Sequence, residues 1–179
     1  LSGMEELRRQ IEENMKRAFW DLLEKAVGGD TPDYAWVVKL YREQRDRLCA
    51  ITPNRKDLRE EVHKALDVEL FEQMLRNSAF EVSDLRAIVA FTFSRLSQLC
   101  SPARDPEITA RHRELDALLS QEGLTFEGFV VPFLKAFHTT VDDIEGDVAA
   151  YHRRMSANSG GNTPGTGGGV SPGLVPSSP

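Results

Sequence analysis

The sequence has few of the features that mark disulfide-rich, metal-binding or membrane proteins. Of its 179 residues only Cys49 and Cys100 are cysteines, and they form no CxxC pair. Both lie in apolar helical patterns, which indicates two reduced core thiols. No apolar run approaches the roughly 18 residues of a membrane-spanning helix, and the start shows no signal-peptide pattern. We therefore expect a cytoplasmic protein without a transmembrane segment.

An excess of positive charge is also missing. The chain has 22 Lys and Arg against 28 Asp and Glu, and the two signs are mixed along it. A nucleic-acid-binding protein usually shows a basic face, so we predict no nucleic-acid partner. One basic cluster is interleaved with acidic residues, which favours a solvated mixed-charge surface; a surface for an acidic partner or phospholipid headgroups is the alternative. Its members are Arg42, Arg45, Arg47, Arg55, Lys56 and Arg59.

The C-terminal segment differs in kind from the rest. Residues 157–179 contain no charged and no aromatic residue and consist mainly of Gly, Ser, Pro, Thr and Asn. Such a segment has too little apolar surface to offset the entropy cost of ordering it. We predict an α-helical domain over residues 1–156 and a disordered tail over residues 157–179.

Strand signals are absent, whereas helical periodicity recurs along residues 1–156. There is no sustained period-two alternation and no Asn-Gly hairpin, so we predict an all-α fold, an irregular bundle of about six helices. The first predicted helix spans Met4–Val27, and the second starts at Thr31-Pro32. The third runs from Thr52-Pro53 to Asn77 with a bend near Asp67, and the fourth runs from Ser83 or Asp84 to Pro102. The fifth runs from Asp105-Pro106 to Gly123, and the sixth runs from Thr125 to Met155.

Three apolar faces carry the prediction of the core. The fourth helix is apolar around much of its circumference, so we expect it at the centre of the core. The sixth helix has an apolar stripe that favours packing on a bundle, with a coiled-coil seam as the alternative; it consists of Val130, Phe133, Phe137, Val141, Ile144, Val148, Tyr151 and Met155. On the first helix Trp20 lies off the main apolar stripe, which suggests a second contact or an exposed ring. That stripe recurs at helical spacing along one face and consists of Leu7, Ile11, Met15, Ala18, Phe19, Leu22 and Ala26.

No residue pattern predicts catalysis. His138 and Asp142 lie four residues apart on one helix, with Asp143 and Glu145 nearby, and form the best candidate for metal ligands. Ion pairing on the surface explains them as well, and no HExxH motif is present. Neither cysteine has a histidine within a helical turn, and no G-x-S-x-G motif occurs. We predict no catalytic residue, no cofactor and no metal site.

One short motif suggests regulation. Arg153 and Arg154 precede Ser156 by three and two residues, a pattern that resembles the site preferred by cAMP-dependent protein kinase. An acidic kinase pocket would pair both guanidinium groups. Phosphate on Ser156 would add negative charge at a helix C-terminus and should fray the last turn.

Five short motifs, in order along the chain, resemble those of the T-complex protein 11 family. They are Pro32-Asp33-Tyr34, Arg45-Asp46-Arg47-Leu48, Thr52-Pro53-Asn54-Arg55-Lys56-Asp57-Leu58, Leu66-Asp67-Val68-Glu69-Leu70 and Leu99-Cys100-Ser101-Pro102-Ala103-Arg104-Asp105. The last is similar to the family's Leu-Cys-Ala-Pro-Val-Arg-Asp. After Phe137 the chain departs from the family pattern, and typical members are much longer, so we expect the N-terminal part of the family domain.

The resemblance implies a non-catalytic, intracellular α-helical protein in signal transduction, linked to cAMP and protein kinase A pathways. The leading hypothesis is an adaptor that binds protein partners, among them components of the protein kinase A pathway. The alternative is a structural helical component of a larger assembly, such as a cytoskeletal or flagellar one.

The last of these motifs carries the most specific prediction. Leu99 and Cys100 end one helix, Pro102 stops it, and Asp105 starts the next. A turn does not require an arginine, so these roles leave Arg104 unexplained. We predict that Arg104 makes a specific contact, either to a helix C-terminus within the fold or to a partner.

Overall fold

The computed structural model describes residues 2–161. Over these residues the chain forms seven α-helices and no strand, which confirms the all-α class. The helices are α1 Ser2–Gly28, α2 Ala35–Ile51, α3 Lys56–Ala65, α4 Val68–Arg76, α5 Val82–Leu99, α6 Asp105–Leu119 and α7 Phe126–Ser159. The described residues fall into two compact units, one up to residue 147 and one from residue 148.

The core of the first unit is centred on α7 rather than on α5. The part of α7 before residue 145 contributes nine buried residues, against six from α5. Its aromatic rings follow one another along the helix, with Phe129 and Phe133 stacked at 5.5 Å between centroids. The expectation that the fourth predicted helix lies at the centre of the core is therefore wrong. Apolar residues around a helix show that it is buried, but do not rank it against a longer buried neighbour.

The third predicted helix is two helices, and the predicted bend is a complete break. Helix α3 ends at Ala65, and Asp67 caps the start of α4, where its side chain accepts a hydrogen bond from the Leu70 amide at 3.0 Å. The break allows both short helices to pack against α2. Tyr41 of α2 then stacks face to face on Phe71 of α4, with 4.0 Å between ring centroids.

Both Thr-Pro start signals place the helix start three or four residues too early. Helix α2 begins at Ala35, because the Asp33 carboxylate accepts the hydrogen bond of the Ala35 amide at 3.0 Å. Asp33, rather than Thr31, therefore satisfies the amide of the first residue of that helix. Thr52 accepts from the Arg55 amide at 3.2 Å and closes a turn, so that α3 begins only at Lys56.

Helix α1 faces the core with the opposite side from the one predicted. Its buried residues are Trp20, Leu23 and Val27, all in its last two or three turns. The main apolar stripe is exposed up to Leu22 instead, with 52% of Leu7 and 68% of Met15 accessible to solvent, and only Ala26 is partly buried. The helix thus has two apolar faces. Periodicity detects the longer face but does not show which of the two meets the rest of the protein.

The apolar stripe of α7 divides at the boundary of the two units. Its members up to Ile144 are buried in the first unit, which confirms packing on a bundle for that part. In the second unit Val148, Tyr151 and Met155 are exposed. Helix α7 continues to Ser159, three residues beyond the predicted domain boundary at 156. Residues 162–179 of the predicted tail lie outside the described residues.

Candidate functional site

The turn between α5 and α6 contains the predicted motif, and four of its residues make contacts within the fold: Leu99, Cys100, Arg104 and Asp105. Leu99 packs against the core, and the Cys100 thiol donates to the Ser97 carbonyl at 3.2 Å. Burial raises the pKa of the Cys100 thiol, and the nearby Asp105 charge raises it further, so the thiol stays protonated. Pro102 is exposed in the turn. Asp105 is the first residue of α6 and accepts a hydrogen bond from the Ser97 hydroxyl of α5.

Arg104 makes a specific contact within the fold, to side chains of α7. Its guanidinium binds both carboxylate oxygens of Asp147, through Nε and through Nη2, the latter at 3.0 Å. Its Nη1 lies 3.2 Å from Glu107 and 3.6 Å from Asp143. The prediction of a contact to a helix C-terminus is wrong in its target, because Asp147 lies twelve residues before the end of α7. Bidentate pairing with a carboxylate explains why this position holds arginine rather than lysine.

We expect Arg104→Ala to lower the free energy of unfolding by about 1–2 kcal/mol, because Asp147 and Asp143 lose a shared cation in a half-exposed setting. Urea denaturation measures the loss, and high salt should reduce it. Arg113→Ala, at an exposed arginine of α6, the helix that Arg104 precedes, is the matched control and should change stability by less than about 0.5 kcal/mol. An Arg104→Ala protein as stable as the control would show that these contacts contribute nothing.

A second arginine, Arg47 of α2, holds α7 from another side. Its Nη2 binds Asp142 and lies 2.9 Å from Glu145, while its Nε lies 3.1 Å from the other Glu145 oxygen. Its Nη1 donates to the side-chain oxygen of Gln44 at 3.2 Å. Gln44 itself is only 1% exposed. All these partners lie outside helix α2 except Gln44, so the arginine joins two helices that are far apart in the sequence.

The contacts of His138 fix its protonation state. The Gln44 amide nitrogen lies 2.8 Å from His138 Nδ1, and Arg47 Nη1 lies 3.1 Å from the same atom. Both groups are donors, so Nδ1 must accept and the proton must reside on Nε2. That nitrogen is 3.2 Å from Asp142. Burial lowers the pKa of His138, Asp142 opposes the shift, and Arg47 adds to it.

The acidic residues of α7 are therefore paired by arginines from two directions. We call Asp142, Asp143, Glu145 and Asp147 the acidic band. Arg47 binds Asp142 and Glu145; Arg104 binds Asp147, while Arg111 lies 3.1 Å from Asp143. The residues suggested as metal ligands are thus engaged with arginines, and within residues 2–161 no cluster of three or more His, Cys, Asp or Glu is placed to hold a metal ion. The arrangement stabilises the packing of α7.

Two arginine partners of the acidic band, Arg47 and Arg111, are residues whose role the sequence did not reveal. Arg47 belongs to the basic cluster interpreted as a solvated surface, with an acidic partner as the alternative. The acidic partner of Arg47 is α7 of the same chain, 95 residues away for Asp142. The available signal was the unusual run of four carboxylates within six residues, which required a source of positive charge elsewhere in the fold.

The predicted kinase site lies in the second unit. Ser156 is exposed on α7, and its carbonyl accepts a hydrogen bond from the Gly160 amide at 3.2 Å. Arg153 and Arg154 are exposed as well. The serine is therefore within the last helical turns rather than beyond them, and a kinase that needs an extended segment would have to open those turns. Helix termini open at low cost.

Comparison with known proteins decides the family. The family model for T-complex protein 11 matches residues 2–158, which is nearly all of the described chain. The chain belongs to the T-complex protein 11 family. It is 29% identical over 103 residues to the human T-complex protein 11 homolog and 25% identical over 103 residues to mouse T-complex protein 11. The human T-complex protein 11-like X-linked protein 1 is 29% identical over 97 residues.

The match covers a small part of these relatives. It includes 57% of this chain but 20% of the human T-complex protein 11 homolog and 18% of the mouse protein. No solved structure matches the chain. Across residues 2–161 no helix has both the length and the apolar character that a membrane span requires. Membership of the T-complex protein 11 family thus rests on the sequence comparisons, and the helical fold of the chain is consistent with it.

Proposed function

We propose that this chain is a non-catalytic, cytoplasmic adaptor or regulatory module in signal transduction. The observation that carries the proposal is the exposed end of α7, where an apolar stripe and a kinase-type motif share one helix. Val148, Tyr151 and Met155 lie at spacings of three and four residues and are all exposed. Such a stripe is typical of a helix that binds a groove in a partner protein. The side chains of the acidic band serve internal pairing, which supports a role in binding rather than in catalysis.

The proposed regulation acts on the same helix. Phosphate on Ser156 would place about two negative charges near the C-terminus of α7, where the helix dipole is already negative. The last turns should open, and the stripe would lose its helical spacing. Membership of the T-complex protein 11 family, which the resemblance links to cAMP and protein kinase A pathways, supports cAMP-dependent protein kinase as the enzyme and components of its pathway as partners.

We expect the catalytic subunit of cAMP-dependent protein kinase to phosphorylate the full chain at Ser156, since the two arginines supply the charges that it recognises. Mass spectrometry locates the phosphate, and Ser156→Ala or the pair Arg153→Ala with Arg154→Ala should reduce its incorporation at least tenfold. Ser159→Ala is the matched control, because Ser159 lies on the same helix and lacks arginines two and three residues before it. Equal phosphorylation of all variants would contradict the proposed site.

The consequence for the helix and for binding is measured separately. Phosphorylation should speed amide hydrogen exchange over residues 152–160 while leaving α5 and α6 unchanged. Partner proteins recovered from lysate by the unphosphorylated chain should be lost when Val148, Tyr151 and Met155 are replaced by serine. They should be retained when the equally exposed Leu70 and Val82 are replaced. If partner proteins are recovered equally well without the Val148, Tyr151 and Met155 side chains and with phosphate on Ser156, the adaptor role of α7 is contradicted.

A further inference from the structure

The first five turns of α1 form an apolar surface that nothing in the described structure covers. Every residue from 2 to 19 is exposed, although one stripe is apolar throughout. The stripe consists of Met4, Leu7, Ile11, Met15, Ala18, Phe19 and Leu22. Its spacings of three, four and four residues repeat every 11, which keeps the stripe aligned with the helix axis over roughly 27 Å at 1.5 Å per residue.

The exposed apolar stripe is available to a partner. Ion pairs of Arg8 and Arg9 with Glu6, Glu12 and Glu13 support the helix itself but leave the stripe open, and packing of an apolar face is what normally supplies most of a helix's stability. At its C-terminal end the stripe opens into an apolar groove of about 310 Å³, lined by residues that include Phe19, Leu22 and the half-exposed Trp36 of α2. Stripe and groove together form one continuous exposed apolar surface, a feature that marks binding sites.

The charges along the stripe indicate what covers it. One edge carries Glu5, Arg8, Glu12 and Lys16, whose signs alternate. The opposite edge, directly beside the stripe, carries the uncharged Gly3, Gln10 and Asn14 and, nearer its C-terminal end, the charged Arg17 and Asp21. From the N-terminus the charges on this edge read negative, positive, negative, positive. Read from the C-terminus they are positive, negative, positive, negative. A second α1 laid antiparallel therefore meets opposite charge at every position.

We propose that α1 pairs with α1 of a second copy of this chain, in an antiparallel arrangement about a two-fold axis. In such a pair the same edge of both helices lies on one side, so Arg8 faces the second copy's Glu12 and Glu5 faces its Lys16. In this register Leu7 lies between the positions of Ile11 and Met15 of the other helix, so the apolar side chains interdigitate. A parallel pair would set the two different edges against each other, so that Glu12 and Lys16 could meet only Arg17 and Asp21, and Glu5 and Arg8 would lie against the uncharged part of the opposite edge.

Charge reversal tests the arrangement in the full chain. Sedimentation equilibrium from about 1 to about 200 µM should show the wild-type mass rising from one chain to two. Arg8→Glu alone and Glu12→Arg alone place like charges across the pair, and each should weaken association at least tenfold. An equimolar mixture of the two variants restores opposite charges at both positions and should associate within about threefold of the wild type. Helix content by circular dichroism confirms that each variant folds.

Two control sets separate pairing through α1 from a general effect of net charge or of apolar surface. Arg113→Glu changes the charge of the chain by the same amount at an exposed site on α6 and should not affect association. Leu7→Ser with Ile11→Ser should abolish it, whereas Leu70→Ser with Val82→Ser, at residues of similar exposure, should not. A wild type that stays monomeric at 200 µM, or a mixture that associates no better than its components, would overturn the proposal. Association that survives Leu7→Ser with Ile11→Ser would show a different interface and would overturn it too.

Discussion

Replacing Arg47 with methionine is expected to lower the free energy of unfolding by about 2 kcal/mol. The guanidinium is the common partner of Asp142, Glu145, Gln44 and His138, and its side chain is 21% exposed. Methionine keeps most of the apolar stem but leaves two carboxylates close together without a cation. Removing one partner from a partly buried ion-pair network costs more than an exposed pair would, although less than the roughly 3–5 kcal/mol of a fully buried one.

The matched control is Arg45→Met, two residues earlier on the same helix. The Arg45 side chain is 16% exposed, but its ion pair is with the adjacent Asp46 at 3.0 Å. That pair joins no second helix, so its loss should cost less than about 0.5 kcal/mol. Urea denaturation of both variants, with equal slopes, gives the comparison. Equal losses at the two positions would show that the contacts of Arg47 to α7 do not stabilise the fold.

The same substitution should change how stability depends on pH. The pKa of His138 is lowered in the folded state, so the unfolded chain binds more protons at pH values below its ordinary pKa of about 6.5. Stability from this group is therefore present above pH 6.5 and is lost as the pH falls toward the folded pKa. Without the Arg47 charge the pKa of His138 should rise, and the decrease in stability between about pH 7 and pH 5 should become smaller. A pH dependence identical in Arg47→Met and wild type would contradict the geometry of this site.

How far the sequence predicts this fold depends on how local each feature is. Helix existence follows from periodicity within a window, and the cap of α7 is found where expected, with Thr125 accepting from the Gly128 amide at 3.1 Å. The need for a specific contact by Arg104 was also visible, because the turn did not explain the residue. Its partner Asp147, 43 residues away, was not. Side-chain pairing between helices depends on tertiary geometry that no local pattern encodes.

The α1 helix shows the same limit for burial. Its long stripe satisfies the rule for a core face better than the short set of Trp20, Leu23 and Val27. The rule identifies an apolar face without stating whether that face meets the same chain or another one. Trp20 lies apart from the stripe, and it packs edge-on against His138 with 5.8 Å between ring centroids. An isolated large aromatic residue off the main stripe was thus the better marker of the intramolecular contact.

The largest effect on stability is expected from Phe137→Ala. Phe137 is 0% exposed at the centre of the α7 face, with its ring centroid 5.9 Å from that of Phe133. Truncation removes the buried ring and leaves a cavity. Because α7 is held by ion pairs with Arg47 and Arg104 on two sides, it cannot readily move to close that cavity. We expect a loss of about 4 kcal/mol in the free energy of unfolding. A domain of ordinary stability, about 5–15 kcal/mol, would keep about 1–11 kcal/mol after such a loss, and urea denaturation of Phe137→Ala against wild type measures the difference.

Phe19→Ala is the control that distinguishes the two possible orientations of α1. Helical periodicity predicts Phe19 in the core, whereas 36% of it is exposed in the structure. Measured at about 1 µM, where pairing of α1 between chains should be weak, its truncation is expected to cost less than about 1 kcal/mol. Losses of similar size at Phe19 and Phe137 would show that α1 buries the predicted stripe within the same chain. Such a result would contradict the orientation of α1 in the structure. It would also contradict the proposed antiparallel pair, because the apolar surface that the pair requires would be buried within one chain.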